Sequence, residues 1–247
     1  MRWQQLLFSQ GFGTRRACDA LIRAGRVARV DADGAPAPVD DPDGDVEPHG
    51  PGFAFAVEGV RWPYREHALL VLNKPAGYEC SAKPRHHPSV LSLLPAPLVG
   101  RGVQPVGRLD ADTTGLLLFT DDGALIHRLA SPKRHVAKVY EVRTAEVVTA
   151  AQVAALVAGV ALRDEPDRPA RAAACEATGE RSLRLTLTEG RYHQVKRMVA
   201  AAGNAVTGLH RSAYGALALP ADLPAGGWRW LDGPQAVLGD ADAQSAP

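Results

Sequence analysis

The sequence predicts an α+β protein with a mostly antiparallel, mixed sheet flanked by helices and a small domain before it. Segments typical of strands outnumber those typical of helices, and the two kinds do not alternate as they do in doubly wound folds. A basic N-terminal segment is set apart by an acidic stretch. With 247 residues, 46% of them hydrophobic, the chain can form one large or two unequal domains.

Charge divides the N-terminal part of the chain. Residues 1–30 carry six arginines against one acid, whereas residues 31–50 carry seven acids and no lysine or arginine. The low net charge of +1 therefore hides two segments of opposite sign. We predict a small domain over residues 1–50 and a linker over residues 51–67.

A helix and a strand are predicted within this small domain. Thr14 is a typical helix N-cap and Gly25 a typical helix end, and apolar residues recur between them at helical spacing. Residues 26–30 then alternate as in a strand. The alternative is a solvated N-terminal arm.

The main domain is predicted over residues 68–235, followed by a disordered tail over residues 236–247. Its predicted strands cover residues 69–73, 116–120, 136–143 and 183–188, and its predicted helices cover residues 149–160 and 192–202. No apolar run approaches the roughly 20 residues that span a bilayer, and the N-terminus does not resemble a signal peptide. We therefore expect a cytoplasmic protein with reduced cysteines and no membrane partner.

Two carboxylates, one guanidinium and two hydroxyls fall within the nine-residue segment Gly107–Gly115, directly before a predicted strand. Loops that enter rigid elements often carry active sites. Asp110 and Asp112 are the acids of this segment. When the segment is taken alone, an ordinary turn with solvated aspartates explains it better than an active site does.

A second polar segment, Glu189–Met198, joins a predicted strand to a predicted helix. Helical spacing places Val195, Met198 and Val199 toward the core and leaves His193, Lys196 and Arg197 partly free. Residues 181–211 carry six basic side chains against one acid, which suits a phosphate-binding patch or a merely solvated face. On the predicted strand 136–143, Lys138, Tyr140 and Val142 share one face.

Four segments taken in order resemble the successive motifs of the RsuA/RluB/E/F family of ribosomal RNA pseudouridine synthases. These segments are Leu72-Asn73-Lys74-Pro75-Ala76-Gly77, Gly107-Arg108-Leu109-Asp110, Lys138-Val139-Tyr140 and Glu189-Gly190-Arg191-Tyr192-His193-Gln194-Val195-Lys196-Arg197-Met198. The resemblance covers residues 68–220 and is strongest to the RsuA branch, which acts on 16S rRNA. An ordered series of motifs is more specific than any one motif.

The resemblance implies a pseudouridine-synthase fold and a role for each matching residue. Asp110 would be the catalytic carboxylate, Lys196 its paired cation, and Tyr140 the ring that stacks on the uracil. Arg108 would contact RNA or fill the gap left by a flipped nucleotide. The isomerisation oxidises and reduces nothing, so we expect no cofactor and no metal.

The N-terminal segment resembles the small alpha-L RNA-binding domain of the same family, although the usual opening Arg-Leu-Asp-Lys is replaced by Arg2-Trp3-Gln4-Gln5. The expected partner is ribosomal RNA, 16S being favoured, or an assembling small subunit, and the expected state is a monomer. The residues expected to bind RNA are Arg15, Arg16, Arg26, Arg108, Arg191, His193 and Arg197.

Three alternatives remain open at this point. A relative of RluE would modify 23S rRNA. The run Asp110-Ala111-Asp112-Thr113-Thr114 also satisfies the pattern of magnesium-dependent phosphatases, although the residues before it make a poor buried strand. A non-catalytic RNA-binding protein would explain the basic patches but not the combination of Asp110, Tyr140 and Lys196.

Overall fold

The computed structural model describes residues 1–31, 33–48, 52–131 and 134–239. These residues form two compact units. The first unit comprises Met1–Ala68 and Leu94–Gln104, and the second comprises Leu69–Leu93 and the chain from Pro105 onward. Residues 94–104 therefore interrupt the main domain, which the sequence had predicted as one continuous segment.

The first unit combines helices with a four-stranded antiparallel sheet of order β2-β1-β3-β4. Its elements are α1 (Trp3–Ser9), α2 (Arg15–Arg23), β1 (Val27–Val30), β2 (Pro36–Pro38), β3 (Ala54–Val57), β4 (Val60–Pro63) and, from the second segment, α3 (Ala96–Gly100). The predicted helix and strand after Thr14 are confirmed. The Thr14 side chain caps α2 by accepting a hydrogen bond from the Ala17 N–H at 3.3 Å.

The predicted linker over residues 51–67 is wrong for residues 54–63. Strand β3 pairs with β1 along its whole length, and β4 pairs with β3. The two strands are joined by Glu58 and Gly59, both with positive φ, as a two-residue hairpin turn requires. Phe55 of β3 is completely buried in the core of this unit, beside Leu6 and Ile22. These residues therefore complete the N-terminal sheet.

The second unit contains a nine-stranded mixed sheet, and its central path has the order β11-β12-β8-β13-β7-β5-β15. The sheet strands are β5 (Leu69–Lys74), β6 (Gln104–Pro105), β7 (Thr114–Thr120), β8 (Lys138–Thr144), β11 (Ala174–Gly179), β12 (Ser182–Leu187), β13 (Val206–Tyr214), β14 (Leu217–Ala218) and β15 (Trp228–Trp230). Strands β13 and β7 are parallel, and the other neighbours on the path are antiparallel. The predicted mostly antiparallel sheet is confirmed.

Helices and a hairpin surround this sheet. They are a 3-10 turn (Val90–Leu93), α4 (Gly123–Ala130), α5 (Ala150–Ala158), the hairpin strands β9 (Val160–Leu162) and β10 (Glu165–Ala170), α6 (Gln194–Ala201) and α7 (Gln235–Leu238). Strands β5 and β7 each contain a buried apolar run, over residues 69–72 and 116–119, as expected for strands covered on both faces. The two predicted helices are α5, with Thr149 as its cap, and α6.

The predicted tail begins too early. Residues 235–238 form α7, and Val237 is completely buried against Leu69, Val136 and Tyr214 in the core of the second unit. The burial of this side chain explains why the chain stays ordered beyond residue 235. Residues 240–247 of the predicted tail lie outside the described residues.

Gly115 allows β13 to lie against β7 at Arg211. Its φ is +102°, and a Cβ placed on it would lie 2.3 Å from the Arg211 carbonyl oxygen and 2.8 Å from its nitrogen. Because backbone atoms of a central strand cannot move aside cheaply, we expect Gly115→Ala to lower the free energy of unfolding by about 3–5 kcal/mol. Urea unfolding would measure this change.

Gly107→Ala is the matched control for this prediction. Gly107 also has a positive φ, +72°, but a Cβ on it would meet no atom within 4 Å. It should therefore cost only the backbone strain, about 1–2 kcal/mol. Equal losses in the two variants would contradict the close approach at Gly115.

Candidate active site

A cleft of about 830 Å³ opens in the second unit. Its walls come from the loop after β5, the loop before β7, strand β8, the junction of β12 with α6, and strand β13. Asp110, Tyr140 and His193 line the cleft, and Lys196 of α6 contacts Asp110. The polar segments that the sequence singled out are far apart in the chain and meet here.

The loop that carries Asp110 is held by backbone hydrogen bonds at both sides of this residue. The Thr113 N–H donates to the Asp110 carbonyl at 3.1 Å, and the Gly77 N–H donates to the Ala111 carbonyl at 2.7 Å. The Asp110 side chain is 27% exposed, so it is reachable from the cleft yet partly shielded from water. This placement suits a group that acts on a bound substrate.

Lys74 anchors the same loop from beneath. Its completely buried ammonium group lies within hydrogen-bond distance of the carbonyls of Pro75, Asp110, Ala111 and Thr113, at 2.8–3.2 Å. Burial lowers the pKa of Lys74. This lysine belongs to one of the motifs, but its role could not be predicted from the sequence, because the four acceptors are backbone atoms that leave no signal in the side-chain pattern.

Two cationic or potentially cationic groups of the β12–α6 segment face the Asp110 carboxylate. Lys196 Nζ lies 3.1 Å from Asp110 Oδ2, and His193 Nε2 lies 3.3 Å from Asp110 Oδ1. The predicted ion pair between Lys196 and Asp110 is confirmed. Lys196 also binds both carboxylate oxygens of Asp112, at 2.7 and 2.9 Å, a contact that was not predicted.

The two aspartates and Lys196 stabilise one another's charges. Partial burial alone would lower the pKa of Lys196, but its hydrogen bonds and charge interactions with Asp112 and Asp110 raise the pKa above its ordinary value. The hydrogen bond from Lys196 lowers the pKa of Asp112. Lys196 therefore stays protonated and supplies the counter-charge that a half-buried carboxylate needs.

The turn before α6 places His193 against Asp110. His193 adopts left-handed backbone angles, φ 46° and ψ 36°, which are uncommon for a residue other than glycine. Gln194 holds this turn, because its side chain donates to Glu189 Oε1 at 2.8 Å and accepts from the Arg191 N–H at 2.8 Å. Such strain at a non-glycine residue is typical of functional sites.

Tyr140 lies on β8, between Leu185 of β12 and Arg211 of β13 in the sheet register. The residue is 9% exposed and lines the cleft. Lys138, Tyr140 and Val142 are all buried while their neighbours are not, which confirms the predicted alternation. The ring therefore has a rigid setting on a central strand.

The arginines of the predicted RNA-binding set differ in their surroundings. Arg108 is exposed and lines the cleft. Arg191 is 10% exposed, pairs with Glu165 at 3.4 Å and donates to the Arg168 carbonyl at 2.7 Å. Arg197 pairs with Asp164 and Glu165. The charges of Arg191 and Arg197 are thus partly neutralised by acids of the β9–β10 hairpin, and their contact with RNA stays a prediction.

The three arginines predicted to bind RNA in the first unit are solvent-accessible. Arg15 and Arg16 are exposed in the first turn of α2, whereas Cys18 and Ile22 of the same helix are buried. Arg26 pairs with Glu58 at 2.7 Å, and both side chains remain more than half exposed.

The cysteines 18, 80 and 175 are free thiols, and burial raises the pKa of Cys18 and Cys80.

Within residues 1–31, 33–48, 52–131 and 134–239, no group of three or more His, Cys, Asp and Glu side chains is arranged to hold a metal ion. None of the helices that these residues form is long and apolar enough to cross a membrane.

The fold and the cleft agree with one family of RNA-modifying enzymes. Residues 68–201 match the family model of RNA pseudouridylate synthases, and the chain belongs to this family. It is therefore an isomerase that acts on RNA. The motifs that resembled this family in the sequence lie within the matched range, and the phosphatase and non-catalytic alternatives are set aside.

Two relatives that share one name are similar to the chain over about two thirds of its length or more. It is 43% identical over 177 residues to the ribosomal small subunit pseudouridine synthase A of Haemophilus influenzae, covering 72% of this chain and 75% of the relative. It is 45% identical over 162 residues to the protein of the same name from Escherichia coli K12, covering 66% and 69%.

Two further matches extend over nearly the whole chain. An uncharacterised RNA pseudouridine synthase of Bacillus subtilis is 37% identical over 235 residues, covering 94% of this chain and 95% of that one. A crystal structure of a pseudouridylate synthase has a TM-score of 0.64 and 35% identity, covering 94% of this chain and 96% of the other. The N-terminal unit is therefore included in the similarity.

Proposed function

We propose that the protein converts one uridine of small-subunit 16S ribosomal RNA to pseudouridine, with Asp110 as the catalytic carboxylate. The observation that carries this proposal is the partly buried Asp110 carboxylate, which lies beside Lys196 and His193 in a cleft that Tyr140 also lines. The small-subunit substrate is supported by the names of the relatives at 43% and 45% identity.

The reaction breaks the bond between ribose C1′ and uracil N1, turns the base, and forms a bond from C1′ to C5. The C5 proton leaves and N1 gains a proton, so atoms and electrons balance without an oxidant. Asp110 acts next to the ribose, either by attacking C1′ or by removing the C2′ proton after cleavage. Lys196 keeps the carboxylate paired and directed while water is displaced from the cleft.

Tyr140 and Arg108 act on the nucleotide outside the reacting bond. The Tyr140 ring stacks on the uracil, which restricts the detached base to the cleft. A uridine in folded RNA must leave its stack, and that step costs a few kcal/mol. Arg108 is exposed at the cleft and contacts the RNA around the extruded nucleotide.

The test is to map pseudouridines in unmodified 16S and 23S transcripts and in small-subunit particles after incubation with the protein and EDTA. Carbodiimide adducts of pseudouridine stop reverse transcription one nucleotide before the modified site. One new stop in 16S rRNA is the expected result. A stop confined to 23S rRNA would overturn the small-subunit assignment, and the absence of any stop would overturn the proposed function.

We further propose that the protein works as a cytoplasmic monomer on free or assembling rRNA. Light scattering of the protein alone and with its RNA would determine the number of copies. A stable dimer that is required for activity would contradict the monomer.

Arg15 and Arg16 are expected to supply phosphate contacts from the exposed side of α2. Replacing both with Glu should weaken rRNA binding and reduce the slope of log Kd against log salt by about 2, since each lost phosphate contact lowers it by about one. The fold should persist, because neither side chain is buried. The ring contact that Arg15 loses is with Phe8, 5.4 Å from its guanidinium, and Phe8 is itself exposed. An unchanged salt slope with normal thermal unfolding would contradict this role.

A further inference from the structure

Two cationic side chains of the cleft, Arg211 and Lys138, have no role in the mechanism above. Arg211 lies on β13 and is 2% exposed, and Lys138 lies on β8 and is 8% exposed. Both line the cleft together with Tyr140. Burying a cation is costly unless it is paired, so the environment of each side chain is informative.

Arg211 is held in place at one end of its guanidinium group. Its Nε donates to the Leu116 carbonyl of β7 at 2.8 Å, and its Cζ lies 5.1 Å from the centroid of the Tyr214 ring. The Nη2 atom is buried and has no hydrogen-bond partner in the part of the chain that the structure describes. A rigidly held donor is therefore left unsatisfied beside the cleft.

Lys138 increases the positive charge at the same place. Its Nζ donates to the Val136 carbonyl at 2.9 Å and lies 5.1 Å from the centroid of the Tyr214 ring. Burial and, to a smaller extent, the charge of Arg211 lower the pKa of Lys138 to about 8. The two cations thus lie near each other, around one aromatic ring.

Neither cation has a carboxylate partner among the described residues. Asp110 pairs with Lys196 and His193, and Glu189 lies 3.1 Å from Arg191 Nε and also pairs with Arg168. Glu79, the remaining acid that lines the cleft, accepts from the backbone N–H groups of Arg85, His86 and His87 at 2.8–3.0 Å. All three acids of the cleft are therefore engaged elsewhere. A negative charge that arrives with the substrate, or develops on it, would balance Arg211 and Lys138.

We infer that Arg211, with Lys138 beside it, binds a carbonyl oxygen of the target uracil and stabilises the charge that develops on the ring during detachment. This inference rests on the proposed function. When the C1′–N1 bond breaks, its electron pair stays with uracil and is delocalised onto O2 and O4. The charge is neutralised when the electron pair forms the new bond from C5 to C1′, and the later loss of the C5 proton is balanced by protonation of N1.

The burial of the two cations favours the base over a phosphate as their ligand. Phosphates remain in the RNA backbone and meet exposed side chains such as Arg108, whereas the extruded base reaches the buried wall that carries Tyr140. A donor fixed where charge develops is effective because it needs no reorganisation during the reaction.

The test compares the intact protein with Arg211→Gln, Arg211→Lys and Lys138→Gln in single-turnover reactions on an unmodified transcript of the target rRNA. Arg229→Gln is the control for loss of an exposed arginine; Arg229 pairs with Asp222 on the surface. We expect Arg211→Gln to slow the reaction on the order of 100-fold, with RNA affinity unchanged. Arg211→Lys should recover part of the rate, and Arg229→Gln should match the intact protein.

A second substrate, RNA with 5-fluorouridine at the target, separates charge stabilisation from a structural effect. Fluorine already disperses charge on the detached ring, so Arg211→Gln and Lys138→Gln should slow consumption of this nucleoside less than that of uridine. If Arg211→Gln does not fold, Lys138→Gln carries the same comparison.

Three results would overturn the inference. The first is a loss below about tenfold in Arg211→Gln. The second is an equal loss on both substrates. The third is weaker RNA binding with a smaller salt slope, which would indicate a phosphate contact. An intact protein that forms no pseudouridine would instead contradict the proposed function, so the two failures are distinguishable.

Discussion

Asp110→Asn should abolish pseudouridine formation, with a loss of at least about 10⁴-fold, the order seen when a nucleophile or its closest partner is removed. Asparagine has the same shape but neither the charge nor the nucleophilic oxygen of aspartate. The fold should change little, because the ion pair that is lost is 27–28% exposed and contributes about 1 kcal/mol or less. Carbodiimide mapping and thermal unfolding measure the two effects separately.

Asp112→Asn is the matched control for this variant. Asp112 lies two residues further along the same loop and binds the same Lys196, at 2.7 Å, but its side chain is 71% exposed. We expect activity within about tenfold of the intact protein, because an Asp112 side chain that points into solvent does not contact the reacting atoms of the substrate. The assignment of Asp110 would fail if Asp112→Asn lost as much activity, or if Asp110→Asn retained it.

Lys74→Met should lower both stability and activity. Methionine fills a similar volume but removes the donor shared by the carbonyls of Asp110, Ala111 and Thr113. The Asp110 and Ala111 carbonyls keep their hydrogen bonds from the Thr113 and Gly77 N–H groups, so the loss falls mainly on the Thr113 carbonyl. A buried carbonyl left without a donor costs roughly 1–3 kcal/mol, and removing a buried charge offsets part of that cost. We expect the free energy of unfolding to fall by about 1–3 kcal/mol, as measured by urea unfolding.

The same variant should lose more activity than the decrease in folded protein explains, because the loop that carries Asp110 loses its anchor. Single-turnover rates at a temperature where the variant is folded would measure this loss. Lys83→Met provides the control, since Lys83 is exposed in the same unit and should change stability by no more than about 0.5 kcal/mol. Normal activity in folded Lys74→Met would show that the loop holds its shape without the lysine.

Local patterns in the sequence predicted several elements of both units. The apolar runs of β5 and β7, the alternation of β8, and the caps of α2 and α5 each depend on neighbours within a few residues. The ordered motifs also indicated which residues would meet. Asp110 and Lys196 are 86 positions apart and form the predicted ion pair at 3.1 Å.

The hairpin of β3 and β4 was missed for a physical reason. Its turn contains Glu58 in a left-handed conformation, which asparagine or glycine would have signalled and glutamate does not. Strand β13 was missed because glycine and polar residues interrupt its apolar pattern, and two irregularities in its pairing with β8 follow from the same sequence.

The sequence alone determined the fold class, the order of the motifs and the side chains able to perform the chemistry, because these depend on residue type and local periodicity. Only the tertiary structure decided how those side chains are supported. The ammonium of Lys74 meets backbone carbonyls, and the guanidinium of Arg211 is buried with one unsatisfied nitrogen. Such contacts are made to backbone carbonyls of segments that are distant in the chain. Every residue type has a backbone carbonyl, so no local sequence pattern indicates which ones will be contacted.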